Sequence, residues 1–261
     1  RIPEATTGQR FFIIASGALM NFVLGFVLLI ILVCTQDAIA TKIIYDFSDN
    51  ALSQQTGLQK EDEIIAVNGH YCFTANDIIY ELQRTPDYRA DFTVLRDGKI
   101  TELPDVQFAT STDENGQTKM ILDFTVYGYP KTPKTVLRAA FNNFMYYARA
   151  ILRSFVDLAV GRVGLNELSG PVGIVSAIGE AVSYGFADVL SLAALITVNL
   201  GLFNLLPIPG LDGCKLLFLA IEGVSGHAVP EKLQAVVNGI GILLLLLLMV
   251  FVTFQDFTRF V

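Results

Sequence analysis

Charge is scarce in this chain. Lys, Arg, Asp and Glu make up 16% of its 261 residues, where soluble domains carry about a quarter. With 52% apolar residues and a mean hydropathy of +0.52, that shortage excludes the ordinary soluble class and points to a membrane. Histidine is scarcer still. His70 and His227 lie far apart in sequence, and each reads most simply as a solvated or structural side chain. The three cysteines, Cys34, Cys72 and Cys214, match no zinc or redox spacing and read as free, small, apolar residues. Residue 1 is Arg rather than Met, and no signal-peptide pattern precedes the first apolar run. The chain is therefore expected to be incomplete or processed at its start. The formal net charge of −7 argues against nucleic acid as a partner.

What is abundant is long uncharged sequence. Phe11 to Cys34, Val189 to Pro209 and Ala235 to Phe254 carry no charge. Each is close to the roughly 20 apolar residues a helix needs to cross a bilayer. Arg1 and Arg10 precede the first run and Asp37 follows it. The positive-inside rule then predicts a cytoplasmic N-terminus, residues 37 to about 185 outside, and Glu222 to Lys232 inside.

The region between the first two runs has a different texture. Lys42 to Phe47 reads as a strand. Thr74, with Asp77 three residues later, opens a helix with Ile78, Ile79 and Leu82 behind it. Asp97-Gly98 between Phe92–Arg96 and Ile100–Leu103 is a hairpin signal. Asn115-Gly116 repeats it between Val106–Phe108 and Met120–Leu122. The run Asn50-Ala51-Leu52, Thr56-Gly57-Leu58 and Asp62-Glu63-Ile64-Ile65-Ala66-Val67-Asn68-Gly69 resembles a PDZ domain of the bacterial type. Glu61 stands where that family usually has glycine. The resemblance implies an extended peptide or protein partner, bound by strand addition at a sheet edge.

Lys134 to Val163 has helical periodicity. Val136, Leu137, Phe141, Phe144, Ala148, Ile151, Phe155 and Ala159 fall on one face. Such a helix either lies on the membrane surface or packs on the small domain. Ser169-Gly170-Pro171-Val172-Gly173-Ile174 marks a turn into a membrane-near helix; on composition alone it is punctuation.

The segment Asn204-Leu205-Leu206-Pro207-Ile208-Pro209-Gly210-Leu211-Asp212-Gly213 ends an apolar run with two prolines, two glycines and an acid. Pro207 and Pro209 forbid a regular helix there. Broken backbone at membrane depth is tolerated only where it is buried in protein or lines a polar cavity. Asp212 has two readings, a loop acid capping the helix that starts near Cys214 or a site carboxylate compensated by a metal or proton. Asn204, five residues after Asn199 in the same run, reads as interhelical glue or as a substrate contact.

Asn204-x-x-Pro207-x-Pro209-x-Leu211-Asp212-Gly213 resembles the signature of the site-2 protease family, the intramembrane zinc metalloproteases. Gly17-Ala18-Leu19-Met20-Asn21-Phe22 is similar to that family's Gly-Pro-x-x-Asn-Phe segment, with Ala18 replacing proline. Gly170-Pro171-Val172-Gly173-Ile174 matches its Gly-Pro-x-Gly-Ile segment. A PDZ-like region between the spans is the arrangement of the regulator-of-sigma-E protease branch. The family's His-Glu-x-x-His pair is not found at His70 or His227, neither of which is followed by Glu, so that helix is expected upstream.

The resemblance implies a multi-pass α-helical membrane protein with an inserted extracytoplasmic PDZ-like α/β domain. Its divisions are expected at 1–36 (a span), 37–130 (the PDZ-like domain and β extension), 131–185 (amphipathic helix and Gly-Pro loop) and 186–261 (two membrane segments). It implies a Zn2+ ion held by Asp212 and by two histidines from another helix. Asn204 and Asn21 would be catalytic, with Asn204, Pro207 and Pro209 binding substrate. The implied location is a bacterial-type plasma membrane, with lipid as surroundings. The implied substrates are single-span membrane proteins such as anti-sigma factors or signal-peptide remnants. The competing reading is a non-catalytic, membrane-anchored PDZ scaffold. A transporter with a broken midplane helix would need an inverted repeat, and none is visible.

Overall fold

A computed structural model of the chain describes residues 6–85, 87–112, 118–162, 164 and 168–260, with backbone alone at 7, 259 and 260. It divides into two compact units, a sheet-containing one at Gln36–Tyr146 and a helical one from the segments on either side.

In the β unit a sheet of order β5-β4-β2-β1-β8 is built from β1 (Ile39–Phe47), β2 (Glu63–Val67), β4 (Arg89–Arg96), β5 (Lys99–Gln107) and β8 (Phe124–Tyr129), with β3 (His70–Tyr71) beside β2. Its strand pairings among the described residues are antiparallel. Ile44, Leu58, Ile64, Val67, Phe92, Val94 and Val106 are fully or almost fully buried and form its core with Ile78 and Leu82 of α3 (Ala75–Gln83). The expected start of α3 is found. Thr74 is the N-cap and Asp77 completes a capping box, its carboxylate accepting from the Thr74 amide at 2.7 Å.

Asp97-Gly98 and Asn68-Gly69 both adopt positive φ at both residues, the conformation of a tight hairpin turn. Asn115-Gly116 lies outside the described residues. The pair flanking it is β6 (Thr110–Thr112) with β7 (Thr118–Met120). Met120 of the expected Met120–Leu122 arm is the last residue of β7, but Val106–Phe108 is not the other arm, because Val106 and Gln107 are spent on β5.

Glu61 has φ 70°. A left-handed residue explains why glycine would suit the position. The carboxylate accepts from the Tyr127 hydroxyl, which holds that phenol above its usual titration range. Next to it Asp62 is fully buried. Arg96 donates to both its oxygens at 2.7 Å and to the Gly57 carbonyl at 2.8 Å. The Asp62 hydrogen bonds raise the Arg96 guanidinium above its usual value.

The helical unit holds α1 (Thr7–Thr35), α5 (Pro171–Tyr184), α6 (Phe186–Leu205), α7 (Asp212–Ser225), α8 (Glu231–Phe260) and, from Tyr147 on, α4 (Pro133–Ala159). Three stretches are long and apolar enough to cross a membrane, Gly8–Thr35, Phe186–Leu205 and Glu231–Thr258. The second helix stops at Leu205, four residues short of the expected Pro209, because Pro207 and Pro209 have no amide to donate. Helices α1 and α6 approach through small residues. A β-carbon on Gly25 would lie 2.8 Å from Val198 Cγ2, and one on Gly201 would lie 2.5 Å from the Phe22 ring. Glycine at such points lets two membrane helices touch backbone to side chain.

The expected face of α4 is only partly right. Leu137 and Phe141 are exposed, while Asp157, which is not among the residues of that face, is 3% exposed. Within the helical unit α4 packs on α6. Tyr147 Oη lies 2.7 Å from Ser191 Oγ, and the Phe155 and Phe203 rings meet edge to face.

Candidate functional site

The site grows out of the way α6 ends. Leu206 closes the last turn on the carbonyls of Leu202 and Phe203. The chain then crosses Pro207 to Leu211 as a short loop, held by Ile208 N to Leu206 O at 2.7 Å and Leu211 N to Ile208 O at 3.1 Å. Gly210 has φ 95°, which a side chain rarely adopts. Asp212 is then the first residue of α7, with Leu211 as the N-cap. Gly213 lies against the carbonyls of Leu205 and Leu206, where any β-carbon would overlap them. The Leu-Asp-Gly order therefore folds the start of α7 back onto the end of α6.

Asp212 does not cap α7 through its side chain. Its carboxylate is 44% exposed, and Oδ1 accepts from Lys215 Nζ at 2.9 Å. A carboxylate at a helix N-terminus sits where the helix dipole favours negative charge. As an oxygen donor it suits zinc, but it is one ligand where three are usual. Among the described residues no group of three or more His, Cys, Asp or Glu side chains is gathered. His70 is exposed on β3, and His227 is exposed, its Nδ1 2.8 Å from the Ser225 carbonyl. Cys214 is 2% exposed and free.

Asn204 is in the last turn of α6, one turn before the break, and Asn21 is in α1 beside Phe22. Both are half-buried, as is Asn199. None of the three makes a side-chain hydrogen bond among the described residues. Pro207 is exposed and Pro209 is exposed on the loop.

Sequence reasoning missed the supports. Asn238 of α8 accepts from the Gly210 amide at 3.3 Å, and Gly241 of α8 lies directly against Pro209. Asp256, 2% exposed near the end of α8, accepts from Gly170 N at 3.2 Å and Gly173 N at 2.8 Å. The Gly-Pro-x-Gly segment is therefore more than punctuation. It presents two amides at the N-terminus of α5 to a carboxylate from another helix. An acid and two glycines inside a leucine-rich helix were the available signal.

A second candidate lies in the β unit. A cavity of about 370 Å³ is lined by Ile39 to Ile43 of β1, Glu63, Phe73, Tyr129 and the first turns of α4, including Lys134 and Arg138. The β1–β2 ladder is registered only at Ile43 with Glu63. Toward the start of β1 that edge is not continued by a strand among the described residues.

The sequence profile of Peptidase family M50 matches residues 2–248. The chain belongs to peptidase family M50. Similar curated proteins include the regulator of sigma-W protease RasP of Bacillus subtilis, 34% identical over 256 residues, covering 96% of this chain and 59% of that protein. The zinc metalloprotease RasP of Geobacillus kaustophilus is 33% identical over 98% of this chain and 60% of its own length. The probable protease eep of Enterococcus faecalis is 30% identical over 98% and 61%. The chain thus spans about three-fifths of the relatives it matches. As an M50 protein with three apolar helices of spanning length, it is an integral membrane protein carrying a β domain.

Proposed function

We propose that this chain contributes to an intramembrane zinc metalloprotease, with Asp212 as one zinc ligand. The other ligands would come from a His-Glu-x-x-His helix outside these residues. The observation that carries the reading is the Asp212 carboxylate, at the first turn of α7 behind a proline-broken helix end and uncommitted to capping. Relatives named as zinc metalloproteases support it.

Zinc bound there supplies a polarised carbonyl and an activated water. The chain's own residues do the rest. Asp212 offers its anion from a helix start that favours negative charge, and Lys215 balances that charge when the carboxylate is not otherwise engaged. Asn204 holds an unwound substrate backbone or a developing oxyanion through its uncommitted amide. Asn21 supports the same region. Pro207 and Pro209 keep the loop open, so that an extended substrate segment can lie against it. The substrates would be single-span membrane proteins such as anti-sigma factors, in keeping with the Bacillus subtilis relative's being named a regulator of sigma-W protease, or signal-peptide remnants.

The β unit, read as PDZ-like and lying outside the cytoplasm of a bacterial plasma membrane, would take a peptide tail along the start of β1, beyond its pairing with β2 at Ile43. Its cavity and the cations Lys134 and Arg138 support that role. The division expected from sequence, at 37–130, 131–185 and 186–261, goes with this reading.

The test is Asp212→Asn in the full-length protein, with cleavage of a single-span reporter measured in membranes. Loss of at least about a hundredfold is expected, with insertion unchanged. Cleavage at the parent rate contradicts the ligand role. The second reading, a membrane-anchored scaffold without catalysis, draws on the lack of a three-ligand cluster among the described residues. It would be favoured by a full-length parent protein that inserts in the membrane but cleaves no reporter.

A further inference from the structure

We propose that α8 anchors the loop bearing Asp212, and that Asn238 and Gly241 are positioning residues for that carboxylate. The anchoring stands on geometry alone; its consequence for a metal rests on the function proposed above.

Two independent contacts converge on the loop from one face of α8. The first is the hydrogen bond in which the Gly210 amide donates to Asn238 Oδ1 at 3.3 Å. Gly210 is two residues from Asp212, and two of the loop's five residues, Pro207 and Pro209, lack an amide. Few other backbone donors are available there to hold the loop. The second contact is steric. Gly241 packs on the carbonyl and ring of Pro209 so closely that a β-carbon would overlap them. From the other side, a β-carbon on Gly210 would lie 2.9 Å from the Ile242 amide nitrogen. The two glycines face each other's backbones, one on the loop and one on the helix. Residues 238 and 241 share a helix face, being three apart. Gly239, between them, has nothing within 4 Å of the place a β-carbon would take.

A carboxylate offered to a metal must be held within about half an ångström, and the residues that orient a ligand shift metal affinity by about 10- to 100-fold. On this view α8 is part of the site's scaffold, although it carries no ligand.

Cys214, buried at 2% and two residues beyond Asp212, is a native reporter of the anchor. The experiment uses the full-length protein in membranes with every other cysteine replaced. It follows the rate of maleimide labelling at Cys214 and the zinc retained after purification. Asn238→Leu, similar in size but without an acceptor, is expected to speed labelling about fivefold, the scale of one hydrogen bond. Asn238→Asp keeps the acceptor and is expected to restore the parent rate. Gly241→Ala is expected to speed labelling by about tenfold or more, because the loop must move off the helix. Gly239→Ala, on the same helix, is expected to leave the rate unchanged.

Parent labelling rates in both Asn238→Leu and Gly241→Ala would overturn the anchor. So would equal acceleration by Asn238→Leu and Asn238→Asp, which would mean that the acceptor plays no part. Should Gly241→Ala fail to insert, the Asn238 pair decides alone. Faster labelling with zinc content unchanged upholds the anchor and counts against Asp212 as a metal ligand, so the two readings fail separately.

Discussion

In the β unit the buried acids are spent. Asp62 is held by Arg96, Asp123 accepts from Ser53 through both its oxygens, and Asp77 closes the cap of α3. In the helical unit Asn21, Asn199 and Asn204 sit in apolar helices without a side-chain hydrogen bond among the described residues. Among the described residues the Asp212 carboxylate there is bonded only by Lys215. The left-handed positions divide the same way. Asn50, Glu61, Asn68, Tyr88, Asp97 and Asp105, all in the β unit, have positive φ, whereas in the helical unit every such residue among those described is glycine. A turn in water can carry a strained side chain, because solvent and neighbours satisfy it. In the helical unit the Gly210 turn has no room for one, because α8 lies against it, whereas Gly161, Gly185 and Gly226 have open space there. Polar groups left unspent where water is scarce are expensive, so their retention marks the helical unit as the place where function is sought.

Substitutions can break that comparison. The largest effect is expected for Asp62→Ala, which strands Arg96 in a partly buried position. The β unit should lose about 3 kcal/mol, read as faster amide exchange across β2 and β4. Gly210→Ala forces both positive φ and a contact with α8. About 2 kcal/mol or more is expected, seen as a lower unfolding temperature. Glu61→Gly, its counterpart in the β unit, should stay within about 0.5 kcal/mol, because the relief of strain is offset by the chain freedom glycine adds. Equal costs at Gly210 and Glu61 would erase the distinction. Asn204→Ala should change stability by less than about 0.5 kcal/mol while reducing cleavage of a reporter at least about tenfold; a stability loss without an activity loss would make it structural glue.

The smallest effect concerns pH. The Asp46 carboxyl is held below its ordinary value of 3.8, first by its hydrogen bond from Lys60 and then by the Phe47 amide. Its contribution is therefore fully present above pH 3.8 and is lost as the pH falls through the lowered value. Asp46→Asn should remove that part of the acid sensitivity, measured as a shallower decline in unfolding temperature below pH 4.

Much of this was legible in the residues. Charge-free runs announce the spans, Thr74 with Asp77 announces its helix, and Asn68-Gly69 and Asp97-Gly98 announce their turns, because each is a local rule satisfied within a few residues. The Pro-x-Pro-Gly-Leu-Asp-Gly break was equally plain, though the helix it ends proved shorter than its apolar run. Long-range matters were hidden. Nothing near Gly170 says that Asp256 will meet it, and nothing near Gly210 names Asn238. The buried side of α4 also escaped. Periodicity gives a face but not the partner, and Asp157 turned inward where Leu137 did not.

The most direct test of the account is the metal itself. Full-length protein and its Asp212→Asn variant would be purified from membranes, and their zinc compared, with Asp46→Asn as a remote control. The account predicts near-stoichiometric zinc in the parent and control and at least about a hundredfold weaker retention in Asp212→Asn. Equal zinc in all three would contradict the claim that this chain's acid holds the metal.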